Sequence, residues 1–438
     1  MVHCSTVNDP GPIPAEQPMF RRRHRPARKR RDRILIFSQV FVPDPASVGQ
    51  HVADVAIEMA RRGYKVRVYT ANRGYDDPSR RYRPREDLQG VDVIRLPLSS
   101  FGKKSMLTRI LGTVSFMVQA FVRGLFLPNV AGVMVSTSPP LIGTIATILR
   151  MFRGMPIAYW AMDLNPDQLL AMNKIQPGSM SARLLESVNR TILQNSSLVI
   201  ALDRFMADRL YPRARLDDKL VVIPPWPHED AIEPLAHEQN EFRHKHGLDG
   251  KFVVMYSGNH SPSNPLTTVL EAAVRLKDDP HVRFLFVGGG IGKKEVEQYL
   301  AQHALKNVIS LPYQPLSDLR YSLSAADVHV VSMGDNMVGI IHPCKVYGAM
   351  AVGRPVLYVG PRPSHIADLL EKEDFGRQVS HGDVDGCITA IRALQSMPRD
   401  DWHAAGLRGQ RLLAGRLSQD ILCGRFCDGL ELVFEKRM

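Results

Sequence analysis

Paired cysteine is the first thing this sequence lacks. Its five cysteines, Cys4, Cys344, Cys387, Cys423 and Cys427, are odd in number and show no CxxC spacing. That argues against a disulfide framework or a zinc-ribbon site and makes a reducing cytoplasm the expected compartment. Cys423 and Cys427 stand four apart with no histidine or second pair beside them, so they read as buried apolar residues. No secretory leader is expected either, because the basic run near the N-terminus leads into the strand-like ILIFSQVF rather than an apolar stretch with a small-residue cleavage site. Nor does the apolar character stay unbroken for the roughly 20 residues a membrane-spanning helix needs. The most apolar region, Thr108 to Val130, contains Gln119 and Arg123. It predicts a helix lying in a membrane interface or packed in a domain core, and the flanking Lys103, Lys104, Arg109 and Arg123 favour the interface.

What is present is a chain of 438 residues, 44% apolar and 23% charged. That is the composition of a soluble globular protein, with roughly two to three domains by length. The net charge of +12 is uneven, since Arg21 to Arg33 carries nine basic residues against one acidic. Such a run cannot bury enough apolar surface to offset chain entropy, and residues 1–32 are expected to be a disordered basic tail. The tail suits an anionic lipid surface, a nucleic acid or no specific partner. Binding to single-stranded nucleic acid would call for aromatics among the basic residues, and there are none between Arg21 and Arg33.

Beyond the tail, strand and helix signals alternate. RILIFSQVF, KVRVYTA, VDVIRLPL, AGVMVSTSPP, MPIAYWAMDLNPD, LVIALD and KLVVIPPW read as strands, with helical patterns between most of them. Pro224 to Gln239 breaks the pattern with Pro, His and acidic residues, after which KFVVMYSG opens a second alternation. The expected fold class is α/β, with two Rossmann-like domains facing a central cleft. The boundaries are 33–228 for the first domain and 229–415 for the second, with a final helix, 416–438, packing back on the first.

Several loops after strands could carry chemistry. Phe41 to Val52 places Gly49 at a helix start, suited to close backbone approach or to an ordinary turn. Met255 to Leu266 places Ser257, Gly258, Asn259 and His260 at the equivalent mouth of the second half. Phe286 to Lys294, FVGGGIGKK, fails as a Walker A motif, with Val287 where the first Gly belongs and Lys294 where Ser or Thr is needed. It reads as a tight turn into a helix. In HPCKVYGAMAVGRPVLYVGP, Lys345 stands in the first turn of a short helix, where the dipole disfavours positive charge. A bound diphosphate would reconcile this, meeting the lysine and the free N–H groups of Cys344, Lys345 and Val346. Asp383-x-Asp385 reads as a helix cap rather than a metal motif.

Taken together, RRGYKVRVYT, STSPPL, AYWAMDLNPD, LVIALDRFMADRL, VVIPPW, YSGNHS, FVGGG and PCKVYGAMAVGRPVLYVG resemble the GT-B glycosyltransferases, specifically glycosyltransferase family 4, and within it the bacterial polysaccharide and lipid-linked sugar subgroup. The resemblance implies a sugar moving with retention from a nucleotide-sugar, the substrate, to a glycolipid or polysaccharide-precursor acceptor. No cofactor and no metal are expected. It implies donor contacts at Gly49, Ser257, Gly258, Asn259, Lys345 and Val346, with the base near Tyr313 and Gln314. Acceptor contacts fall on Asn165 and Asp167, and Asp163 and His260 are the catalytic candidates. Asp-Leu-Asn-Pro-Asp is equally good turn chemistry. The expected location is cytoplasmic, peripheral on the inner face of the cell membrane. The family's usual Glu-x7-Glu pair is replaced by Ile340 and Gly348, its usual Arg and Lys after the first strand of the second domain by Asn259 and His260, and its Gly-Gly turn by Val48-Gly49. A nucleotide-sugar epimerase of the same architecture and a non-catalytic scaffold are the alternatives.

Overall fold

The computed structural model describes residues 33–435 apart from 45, 75–78, 100–105 and 229–231. The basic tail, Lys103, Lys104 and the boundary at 229 lie outside the described residues.

Eight strands build the first sheet: β1 (Arg33–Phe37), β2 (Lys65–Ala71), β3 (Arg85–Leu88), β4 (Val91–Leu96), β5 (Val130–Val135), β6 (Ile157–Trp160), β7 (Leu198–Ala201) and β8 (Leu220–Val222). They lie in the order β3-β4-β2-β1-β5-β6-β7-β8. All pairs are parallel except β3 with β4. Six more strands make the second sheet: β9 (Phe252–Ser257), β10 (Val282–Val287), β11 (Val308–Leu311), β12 (Val328–Ser332), β13 (Val356–Val359) and β14 (Gly376–Val379), in the order β11-β10-β9-β12-β13-β14. Every residue of β5, β6, β7 and β13 is buried, as expected of parallel strands covered by helices on both faces. Two strands escape the sequence reading, β14 with the sequence GRQV and β3 with the sequence REDL. β3 is an antiparallel edge whose charged side chains are taken up by ion pairs, Arg85 reaching the half-buried Asp92 at 2.8 Å and Glu86 the buried Arg95, so it carries no apolar run.

In both sheets the order reverses around the first strand, β1 or β9. The loops that follow these two strands therefore open at switch points, where ligands of open α/β sheets bind. The final helix, Gln419–Glu435, lies against helix Ser47–Arg61 of the first domain. Arg62 reaches Asp428 at 2.6 Å and Glu431 at 3.0 Å, and the Phe426 ring sits 4.5 Å from Trp160. Cys423 and Cys427 are buried in this seam as free thiols.

Helix Met106–Phe126 has 21 residues, so its length alone does not rule out a span. Its inner face is committed to the domain, with Phe116 and Ala120 fully buried and Gly124 against Leu149 and Phe37. Its outer face is bare. Ile110, Val114, Val118, Val122 and Phe126 form an exposed row, continued by Met151 and Phe152 of helix Ile142–Arg153 packed beside it.

Candidate active site

The mouth of the second sheet is made by two loops zipped together. The Gly258 amide donates to the Val287 carbonyl at 2.9 Å, His260 N–H to Gly289 at 2.7 Å, and Gly292 N–H to His260 at 2.9 Å. Gly288 has φ +127, and a Cβ there would lie 2.0 Å from the Gly258 oxygen, so this approach admits only glycine. FVGGG is therefore the tight turn its sequence suggests, and its work is to hold the Ser257–His260 loop.

Lys345 reaches this mouth from across the sheet. Its Cε would be 2.8 Å from a Cβ on Gly258, and its ammonium stands 5.3 Å from the Tyr256 ring centroid. Among the described residues the ammonium has no carboxylate or hydrogen-bond partner. Burial holds its pKa below the ordinary lysine value. An uncompensated, partly buried cation aimed at a glycine-lined mouth has the charge and setting to favour an anion.

Other predicted donor contacts require correction. Helix Lys345–Ala351 begins two residues later than a first turn led by Pro343 would give. The Cys344 amide is spent on His342 at 3.0 Å and that of Val346 on Pro343 at 3.3 Å, leaving the Lys345 N–H alone of the three. The Val346 side chain is fully buried in the core. Gly49 is buried too; its close approach is to the Phe41 backbone, 3.0 Å from a Cβ, so it serves helix packing rather than an open ligand face. Gln314 donates to Pro312 within its own loop, while Tyr313 is exposed with its hydroxyl 3.5 Å from the Gly289 carbonyl, beside the mouth. Asn259 packs its side-chain oxygen against Gly290.

His260 also needs correction as a catalytic candidate. The residue is 1% exposed, between Tyr256 and Phe286. Its Nδ1 donates to the Gly258 carbonyl at 3.0 Å, and Nε2 is buried without a partner. Burial, with Lys293 and Lys345 nearby, pushes its pKa down to about 4. It is a neutral brace for the loop and has no open path to a reacting atom.

Across the cleft, Asp163 follows β6, and its amide donates to Thr137 Oγ1 at 3.2 Å. The carboxyl makes no hydrogen bond or ion pair with the described residues, and burial pushes its pKa up to about 6. It lines a small recess with Ser136, Thr137, Tyr159, Asn165 and Asn189. The Asn165 carbonyl accepts from Asn189 Nδ2 at 2.5 Å. Asp167 is not available to an acceptor: it is buried and paired with Arg213 at 2.7 Å and Arg209 at 3.3 Å. Asp383 caps helix Val384–Gln395 through Gly386 N–H at 2.8 Å, as the cap reading expects.

Two family models match the chain: "Glycosyl transferase 4-like domain" over residues 47–226 and "Glycosyl transferases group 1" over residues 251–396. The chain is a GT-B glycosyltransferase of the family 4 type. It is 24% identical over 385 residues to WcaI of Escherichia coli K12, a glycosyl transferase assigned to colanic acid biosynthesis, covering 84% of this chain and 93% of that protein. The solved sucrose-phosphate synthase of Thermosynechococcus elongatus superposes on the transferase with a TM-score of 0.75 at 17% identity, over 93% of this chain and all of that one. HepE of Anabaena, solved with UDP-glucose, gives 0.67 at 16% identity, over 91% of this chain and 99% of that one. These likenesses confirm the two-domain fold.

Sequence reasoning missed the contact between the domains at the cleft. Asp203, 3% exposed at the end of β7, meets His342 of the second domain, and Arg204 pairs with Asp368 at 2.7 Å. The available signal was Asp203 itself, an N-cap residue directly after an apolar strand, read only as a strand end.

Proposed function

We propose that the transferase moves a sugar, with retention, from a nucleoside-diphosphate sugar to a membrane-associated precursor of a bacterial polysaccharide or glycolipid. The observation that carries the donor half is the Lys345 ammonium beside Gly258, which has no carboxylate or hydrogen-bond partner among the described residues and only the Tyr256 ring near it. UDP-glucose bound to HepE, a protein of the same fold, is consistent with that choice of donor. The name of WcaI supports a polysaccharide pathway.

In this reading the bond from the sugar's anomeric carbon to the β-phosphate oxygen breaks while the acceptor oxygen bonds to the same face of that carbon. Negative charge gathers on the leaving diphosphate. Lys345, fixed in a poorly hydrated site, opposes that charge without reorganising, the condition under which electrostatic stabilisation is largest. Asp163 orients the acceptor hydroxyl, whose proton passes to the carboxylate or to the departing phosphate. No enzyme nucleophile, metal or cofactor is called for. Ile340 and Gly348 stand where the family's two glutamates usually sit; Ile340 is buried and Gly348 faces Leu323, so the ribose is held by other groups or by none.

Calorimetric titration with UDP, GDP and their sugars tests the donor site. One nucleotide is expected to bind and to lose about 1 kcal/mol or more of affinity in Lys345→Ala. A folded protein that binds none of them would move the assignment to the scaffold alternative.

The membrane half is supported by the exposed Ile110 to Phe126 row with Arg109 and Arg123 at its flanks, an arrangement suited to an anionic interface. Such a surface would make the transferase peripheral, on the cytoplasmic side. Flotation with phosphatidylglycerol vesicles is expected to recover the protein and to lose it for Val118→Asp. Equal recovery of both would remove this role from the helix.

A further inference from the structure

Helix Arg204–Leu210 of the first domain is seated on the loop that leads to Lys345. A Cβ on Gly339, φ +70, would lie 2.5 Å from the Phe205 carbonyl, and Arg209 Nε donates to the Val338 carbonyl at 2.6 Å. A residue further along this loop, the Ile340 carbonyl accepts from Leu164 N–H of the first domain at 3.3 Å. Two residues on again comes His342, whose side chain is 1% exposed. Its Nε2 is 2.8 Å from the Tyr347 hydroxyl on the helix that carries Lys345. Its other nitrogen, Nδ1, faces Asp203 Oδ2 of the first domain at 3.5 Å and has no hydrogen-bond partner, a separation somewhat longer than a charge-assisted bond. The second Asp203 oxygen is committed to capping its own helix, at 2.9 Å from Met206 N–H. The His365 ring lies 4.7 Å behind His342, tilted by 46°, and the Arg204–Asp368 pair closes the outer edge.

A single imidazole therefore touches the first domain with one nitrogen and the Lys345 helix with the other. We propose that Asp203 and His342 form the latch through which closure of the cleft fixes the position of the Lys345 helix, making both positioning residues for the donor site. When the domains close, Asp203 Oδ2 comes within bonding distance of Nδ1, the imidazole is held in one tautomer, and Nε2 orients Tyr347 and the turn before Lys345. When they open, His342 loses the partner that fixes it and the turn is released. The link to Lys345 rests on the donor reading above; the latch itself does not.

Two substitutions separate the two ends of the imidazole. Asp203→Asn keeps an oxygen able to cap helix Arg204–Leu210 and removes the charge facing His342. His342→Gln keeps a polar group within reach of Tyr347 and withdraws the one facing Asp203. Small-angle X-ray scattering of the full chain, without nucleotide, is expected to show a larger radius of gyration for each variant. The double variant should be no more open than the more open single, because both remove the same contact. In parallel, the nucleotide that binds wild type should bind each variant roughly five-fold or more weakly, the range of a coupling between sites. Unchanged scattering in both singles, or additive opening in the double, would overturn the latch. Opening of the variants in a protein that binds no nucleotide would uphold the latch and remove the donor reading instead.

Discussion

The two mouths that face each other across the cleft are built from opposite materials. On the second domain the mouth is backbone: glycines, carbonyl-to-amide zips and a neutral imidazole brace, with one uncompensated cation, Lys345, projecting into it. On the first domain it is side chain: a recess of Ser, Thr, Tyr and Asn around one carboxyl, Asp163, that no cation among the described residues neutralises. Each side keeps one charged group short of partners, and the two are of opposite sign. The cation suits a leaving group that becomes more negative, and the carboxyl suits a hydroxyl that must shed a proton. Both pKa values are displaced toward the neutral form by the same cause, burial, and under the proposed function a bound substrate would supply the compensation each lacks.

Asp163→Asn should break this contrast most completely. An amide keeps the shape and loses the proton acceptor, and transfer is expected to fall by about 100-fold or more, the scale of general-base catalysis. The sign for stability is the reverse. A carboxyl whose folded pKa is raised to about 6 is ionised at a cost as pH climbs past that value, so the variant should be more stable than wild type above pH 6, by a melting temperature measured at pH 8. In wild type the acid limb of the pH–rate profile should lie near 6 and vanish in the variant. A variant that transfers normally, or melts lower at pH 8, would make Asp163 a turn residue and leave the recess without a chemical role.

How much of this the chain disclosed depends on whether a feature is local. The parallel strands were legible because strands buried on both faces are continuous apolar runs, VAGVMV and LVIA among them. Lys345 was legible because a cation in the first turn of a helix is locally unfavourable and asks for a reason. The misassigned acidic and histidine residues share one cause, partners distant in the chain, whereas Cys344, Val346 and Gln314 are taken up by carbonyls two or three residues away. Nothing in DLNPD says that Asp167 will be paired by Arg209 and Arg213. Nothing in YSGNHS says that His260 will be roofed by the turn at Gly288–Gly292, nor in LVIALD that Asp203 will meet His342. The edge strand β3 escaped for a different reason, since its pairing is with charge and carries no period-two apolar signal.

The Lys345→Ala loss, about 1 kcal/mol in binding, ranks below the Asp163 effect, because the lysine acts in both the bound and the reacting state. Smaller again, and confined to stability, is the acid response of the imidazole brace. His260 has a folded pKa of about 4 against roughly 6.5 for a free histidine, so the folded state favours the neutral ring. Its contribution is complete above pH 6.5 and is lost as pH falls toward 4, at about 1.4 kcal/mol per pH unit once the unfolded chain takes up the proton. His51, His237 and His329, also held at about 4, add to the same slope elsewhere in the molecule. The test is therefore a difference. Melting temperature followed from pH 7 to pH 4.5 should fall for both proteins, but less steeply for His260→Gln, which cannot be protonated. At pH 7 the same variant should lower nucleotide affinity only through loosening of the Gly258 loop. Equal slopes would mean that the ring takes a proton in the folded state, as an open catalytic histidine would, and the division between a backbone-built mouth and a side-chain-built one would lose its cleanest example.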